Sequence, residues 1–172
     1  YKLEGEKLID PKGTAVPPLR IVYTKNNQTR KDTSVLLQNT LKPLGVQLVL
    51  TETDGLGKTI TSGDFDLVIY GTNIDTIPTT TAQAVFNSKK FHTGYKDPEM
   101  DAWLSEALAT SDPKKVVELI TKVDQRLSEK AITLPLYQTP TIVAFRKDLA
   151  NIRINPTRFG TTYNTEQWGF RA

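Results

Sequence analysis

Three short β-rich runs limit what this chain can fold into: "LRIVYT" at residues 19–24, "VQLVLT" at 46–51 and a third at 66–70 within "SGDFDLVIYG". Each has strand length, and the first two are apolar enough to be buried as parallel strands are. The intervals between them are too long for hairpin turns and carry helix signals, which is the spacing of crossover connections. A strand–helix–strand–helix–strand order implies an α/β layer with a partly parallel, mixed sheet flanked by helices. The first crossover predicts a helix of about ten residues with Asp32 at its N-cap and Leu37, Leu41 and Leu44 along one face. Pro43 and Gly45 end it.

The second crossover, "TETDGLGKTI" at residues 51–60, has the letters of a phosphate-binding loop in Gly57-Lys58-Thr59. Such a loop needs a glycine five positions earlier, so that backbone N–H groups can curl round the phosphates. That position is Glu52, whose carboxylate repels phosphate. No second acidic strand follows to hold magnesium. The stretch is expected to be a connector, with Gly55 and Gly57 releasing the strand into a short surface helix that runs toward Gly63. A nucleotide-binding enzyme is the weakest of the functional readings.

The second half is helical. "DPEMDAWLSEALA" places Met100, Trp103, Leu104, Ala107 and Leu108 on one face, with Asp97 as N-cap and Pro98 at the first helical position. "SDPKKVVELITKVDQRLSEKA" repeats the device with Asp112 and Pro113, and its expected stripe is Val116, Ile120, Val123 and Leu127. "ITLPLYQTPTIVAF" follows as an extended edge or crossover segment, confined by Pro135 and Pro140. The whole, residues 1–172, is expected to be one α/β lobe. Residues 1–18 form an extended lead-in and 151–172 an irregular tail.

Composition narrows the function. The 172 residues suffice for one domain, and 38% are hydrophobic with both charge signs interspersed, which implies a folded soluble chain. No apolar run approaches the ~20 residues that span a bilayer. With no cysteine, disulfides, zinc-thiolate sites and thiol catalysis are all excluded. The net charge of +3 is mild, and the basic dyads 30–31, 89–90, 114–115 and 146–147 are scattered, so nucleic-acid binding is not expected. His92 is the single histidine and has no visible ligand or catalytic companions. The pattern Gly-x-Ser-x-Gly is absent, and Asp64 and Asp66 are expected to cap a turn. No catalytic residues, no metal and no cofactor are therefore expected. The chain starts at Tyr1 without a secretion signal, which suggests a processed protein or a piece of a longer one.

One loop remains. "YGTNIDTIPTTT" at residues 70–81 leaves the C-terminal end of a strand, where open α/β sheets bind ligands. It offers Tyr70, Thr72, Asn73 and Asp75 as candidate ligand-binding residues.

The order of "LRIVYT", a helix, "LGVQLVL", "GDFDLVIYGTNIDTIP", "HTGYKDPEMDAWLSEALATSD", a long helix and "LPLYQTPTIVAF" is similar to the C-terminal lobe of the extracellular solute-binding proteins of family 5. These are the oligopeptide- and dipeptide-binding receptors of ABC importers. The resemblance covers about residues 15–150. It implies one lobe of a type II periplasmic-binding-protein-like fold, a hinge, and a second lobe that this chain lacks. The implied partners are a peptide or other small solute and the membrane permease of an ABC importer. A monomeric receptor is expected, periplasmic or cell-surface, lipid-anchored through a missing N-terminal part. Family members commonly carry Asp-x5-Trp-x2-Asp out of the third strand, the last Asp pairing with the peptide amine. Counting from Asp66 puts Thr72 at the Trp position and Asp75 at the amine-binding position. The resemblance departs at Thr72, which is not aromatic, and at the following Asp-Pro, reduced to Pro78. A stand-alone interaction or sensory module that retains the lobe fold is the alternative.

Overall fold

The computed structural model describes residues 1–73, 75–89 and 94–171, and the chain divides into two units, Tyr1–Gly71 and Thr72–Ala172. The first unit opens with an antiparallel hairpin of β1 (Lys2–Glu4) and β2 (Lys7–Ile9). Then come β3 (Leu19–Thr24), α1 (Gln28–Leu41), β4 (Leu48–Thr53), α2 (Leu56–Ser62) and β5 (Leu67–Val68). Strands order as β4-β3-β5, and both pairings are parallel, with Leu19 opposite Leu48 and Ile21 opposite Leu67. The β3 strand has a parallel neighbour on each side, and since its consecutive Ile21, Val22 and Tyr23 are all buried, both of its faces are covered. The buried Tyr23 hydroxyl donates to Glu52 Oε1 at 3.3 Å. The position where a phosphate loop needs glycine is thus a strand residue with a partner of its own.

The second strand lies at 48–53, two residues later than the β-branched run suggests. Val46 N–H is still engaged with the carbonyl of Leu41 at 3.3 Å, so the helix end holds the start of the run. The first helix begins earlier than expected. Asn27, not Asp32, is its cap: Asn27 adopts extended φ and its Oδ1 accepts from Arg30 N–H at 3.0 Å. Asp32 lies inside the helix and accepts from Gln28 Nε2. The one fully buried position of α1 is Ser34, with Leu37 and Leu41 half-buried. Leu44, on the 3-10 turn Lys42–Leu44, is 57% exposed. Asp66, expected as a turn cap, instead accepts from the backbone N–H of Arg20 at 2.7 Å, and Asp64 pairs with the Arg20 guanidinium at 2.9 Å. Both carboxylates therefore fasten the entry of β5 to β3. The connector is α2, which ends at Gly63 with φ +68.

In the second unit α3 (Pro78–Phe86), α4 (Pro98–Ala109) and α5 (Pro113–Glu129) precede an antiparallel pair, β6 (Leu149–Ala150) and β7 (Gly169–Phe170). A 3-10 segment, Gly160–Gln167, lies between the two strands. Asp97 and Asp112 cap α4 and α5 as expected, accepting from Met100 N–H at 3.0 Å and Lys114 N–H at 2.9 Å. Met100, Leu104, Val123 and Leu127 form the core, with Ala82, Phe86, Trp103, Ile120 and Ile132 packed against it. Leu119 is buried where Val116 was expected, and Leu108 lies largely outside the packed face. Residues 133–145 form no strand; Ile142 is 91% exposed. His92 lies outside the described residues.

Asp97 does more than cap. Its carboxylate is buried and also accepts from Tyr95 Oη at 2.7 Å and from Arg126 Nη1 at 2.6 Å. Arg126 reaches across from α5, binds Glu99 at 2.8 Å and stacks its guanidinium 5.0 Å from the Trp103 ring centroid. Burial raises the Asp97 pKa, but the bonds from Met100, Tyr95 and Arg126 outweigh it and leave the carboxyl below its ordinary value.

A depressed native pKa contributes stability above the unfolded value and loses it as the pH falls through the native one. Unfolding free energy should therefore drop on acidification below the ordinary aspartate value of about 3.9, and Asp97→Asn should flatten that slope in pH-dependent urea melts. At neutral pH Asp97→Ala should lower the urea midpoint, because it removes the cap of α4 and leaves the Met100 N–H and the Tyr95 hydroxyl without this acceptor. Gly45 offers a second test. Its φ is +77, and a Cβ would lie 2.5 Å from Leu8 N and 2.7 Å from Leu3 Cδ1. The β1–β2 hairpin docks there through the Leu8 N–H donating to Gly45 O at 3.1 Å. Gly45→Ala should cost about 1–2 kcal/mol from the backbone alone, more with the overlap, read by urea denaturation.

Candidate functional site

The C-terminal edge of the parallel sheet and the loop after it carry the four expected residues. Tyr70 closes the first unit beyond β5, with its ring 38% exposed. Burial of the rest pushes the phenol above its ordinary pKa. At the same edge of this unit Arg30 Nη1 donates to Thr24 Oγ1 at 2.5 Å, so a half-buried guanidinium stands where β3 ends. Arg30 was not singled out from the sequence. It belongs to a dyad that reads as solvated surface, and only the cap at Asn27 turns it back toward the strand.

In the second unit Thr72 and Asn73 are exposed, and their side chains have no hydrogen-bond partner among the described residues. Asp75 is half-buried and well tied. Its N–H donates to Thr81 Oγ1 at 3.0 Å, and its Oδ1 accepts from Thr76 N–H at 2.9 Å. Next, α3 starts with Pro78 and has no side-chain cap at Ile77; Thr80 Oγ1 donates to the Ile77 carbonyl at 2.6 Å. The threonine run 79–81 thus organises the loop from beneath: Thr79 is buried, and the hydroxyls of Thr80 and Thr81 are spent on backbone groups.

A further charged group joins this loop. Arg158 Nε lies 3.4 Å from Asp75 Oδ1. It comes from "NPTRFG", in the stretch that reads as an irregular tail. Nothing in that composition points to a loop eighty residues earlier; the one available hint is the Asn-Pro-Thr turn signal just before the arginine. Chemically, the arrangement can accept a hydrogen bond or a cation at Asp75 and donate at Arg158. Among the described residues no group of three or more His, Cys, Asp or Glu side chains could hold a metal ion.

The parallel α/β layer of the first unit and the polar loop of the second can each be set beside known proteins. The chain is 31% identical over 129 residues to the oligopeptide-binding protein OppA of Mycobacterium tuberculosis, covering 72% of this chain and 22% of that protein. It belongs to the family 5 extracellular solute-binding proteins. No family model matches the chain, so membership rests on these relatives. The solved structure of the periplasmic EDTA-binding protein EppA superposes with a TM-score of 0.87 at 27% identity, covering all of this chain and 33% of that one. The oligopeptide-binding protein AppA of Bacillus subtilis, solved with a nonapeptide, gives a TM-score of 0.73 at 20% identity, covering all of this chain and 35% of that one. The fold of the family 5 chain is accordingly the type II periplasmic-binding-protein fold, α/β with a parallel sheet flanked by helices. The chain spans between a fifth and about a third of the length of these relatives.

The loop geometry makes a prediction of its own. Thr81→Val removes the acceptor of the Asp75 N–H and should cost about 1 kcal/mol. Urea denaturation measures the loss, and Thr81→Ser should restore most of it.

Proposed function

We propose that this chain is the ligand-capturing lobe of an ABC-importer substrate-binding protein, working by hinge closure against a second lobe. Its cargo is a peptide or another small solute, and the closed form is what a membrane permease recognises. The observation that carries this reading is the placement of Asp75. It has the spacing from Asp66 that the family uses for the amine-binding carboxylate, and it sits in a loop whose backbone is pinned by Thr81. A desolvated ammonium needs an opposite charge and a hydrogen-bond acceptor, and a carboxylate supplies both. Oδ2 of Asp75 accepts no hydrogen bond among the described residues and is the atom for that contact.

Relatives support the same reading. They include oligopeptide-binding proteins, an EDTA-binding protein, and mycobacterial proteins described as lipoproteins. That company supports the reading of an extracytoplasmic, lipid-anchored receptor without catalysis. No described helix is long and apolar enough to cross a membrane. Thr72 and Asn73 would line the ligand edge with Asp75, Tyr70 is a ligand candidate of the first unit taken by itself, and Thr72 in place of an aromatic leaves the wall less apolar. The proposed receptor acts as a monomer, since one cleft between two lobes is complete without a second copy.

The test is a thermal-shift screen of the complete protein that carries this chain, against peptides of two to nine residues and other solute classes. Binding should raise Tm for at least one peptide or other small solute, and Asp75→Asn should weaken that ligand at least about tenfold, 1.4 kcal/mol. A shift with another solute class and none with peptides removes the peptide assignment. Affinity unchanged in Asp75→Asn removes the site assignment.

A further inference from the structure

The partner of Asp75 is a guanidinium already in place. Two features make the contact more than a chance approach of surface charges. First, the turn that presents Arg158 is built. Asn155 Oδ1 accepts from both Thr157 N–H at 2.8 Å and Thr157 Oγ1 at 2.7 Å, and Gly160 N–H donates to the Thr157 carbonyl at 3.0 Å. Residues on both sides of Arg158 are thereby fixed, and its guanidinium rests 5.6 Å from the ring centroid of Phe159. Second, the pair is only partly satisfied. The contact is Nε to Oδ1, and no hydrogen bond to Asp75 Oδ2 or from the terminal guanidinium nitrogens exists among the described residues.

The arrangement therefore offers a carboxylate oxygen and a planar fork of N–H donors side by side. Asp75 keeps 30% of its side chain exposed and Arg158 keeps 61%, so a ligand can reach both. A pair this exposed is held by at most about 1 kcal/mol and rearranges easily. A lone ammonium at Oδ2 would meet a carboxylate that Arg158 already neutralises and would lie beside a like charge. A ligand carrying its own carboxylate beside its ammonium would instead satisfy the guanidinium as well, with the bidentate geometry that arginine favours. Peptide termini do not meet that condition, because an extended chain separates them by roughly 3.3–3.6 Å per residue.

Resting on the reading of Asp75 as a ligand contact, we propose that Arg158 is the selectivity residue of the site. It makes a compact zwitterion the preferred solute: an ammonium and a carboxylate on one carbon, as in a free α-amino acid. The ammonium is held at Asp75 Oδ2 and the carboxylate at the outer nitrogens of Arg158.

Isothermal titration of the complete protein with the common free α-amino acids, the amide and N-acetyl derivative of each, and trialanine tests this. At least one amino acid should bind tenfold or more tightly than its amide, its N-acetyl form and trialanine. Arg158→Gln should weaken that amino acid tenfold or more and leave its amide unchanged. Arg158→Lys should recover part of the loss, and both variants should melt with the wild type, since the pair is exposed. Equal affinity of wild type and Arg158→Gln for the amino acid overturns the proposal, as does trialanine binding more tightly than every amino acid. Trialanine binding that depends on Asp75 but not on Arg158 overturns this proposal alone and leaves the solute-binding reading standing. Binding of none of these probes, with a positive thermal shift for another solute, overturns both.

Discussion

A buried carboxylate organises the helical half of this protein. Asp97 receives the Met100 N–H in the first turn of α4, the hydroxyl of Tyr95 and the guanidinium of Arg126, so a single side chain sets the start of one helix and its alignment with the next. Burial alone would make an ionised carboxylate costly, and three donors are what reverse that balance. Trp103 completes the arrangement by covering the outer face of Arg126, and Glu99 takes the guanidinium's other side. Met100, Leu104, Val123 and Leu127 can then close over one another because the two helices meet in a fixed register. In the first unit the comparable constraint is β3, the strand with a parallel neighbour on each side.

Much of this architecture is written locally. Short β-branched runs separated by helix-length intervals led to a parallel sheet, and Asp-Pro pairs marked the starts of α4 and α5. What stayed hidden depends on groups distant in sequence. Asp32 is a good cap residue by type, but Asn27 precedes it and takes the free N–H first. Val116 fits the helical period as well as Leu119 does; packing against α4 selects between them. Asp66 was read as a local turn cap, whereas it accepts from the backbone of Arg20, a parallel-sheet contact that no local rule describes. The β-branched run at 46–51 contributes its later residues to the sheet because the end of the preceding helix retains Val46.

The candidate site shows the same division. Asp75 could be singled out because a strand end, a spacing and a polar loop coincide in one stretch. The threonines after it hold the loop itself, since Thr80 and Thr81 spend their hydroxyls on its own backbone. Arg158 was invisible, since its meaning comes from a single long-range pairing. Family membership and fold agree with one another.

The extended stretch after α5 has a consequence for behaviour in solution. Leu134, Ile142 and Phe145 are exposed on a segment without strand partners, which is the profile of a template for aggregation. Pro135 and Pro140 each delete a backbone donor, and the charged Arg146-Lys147 pair closes the apolar run. These are gatekeeper positions. Replacing either proline would remove an interruption from the run at a place where the exposed rings contribute nothing to the core of this chain.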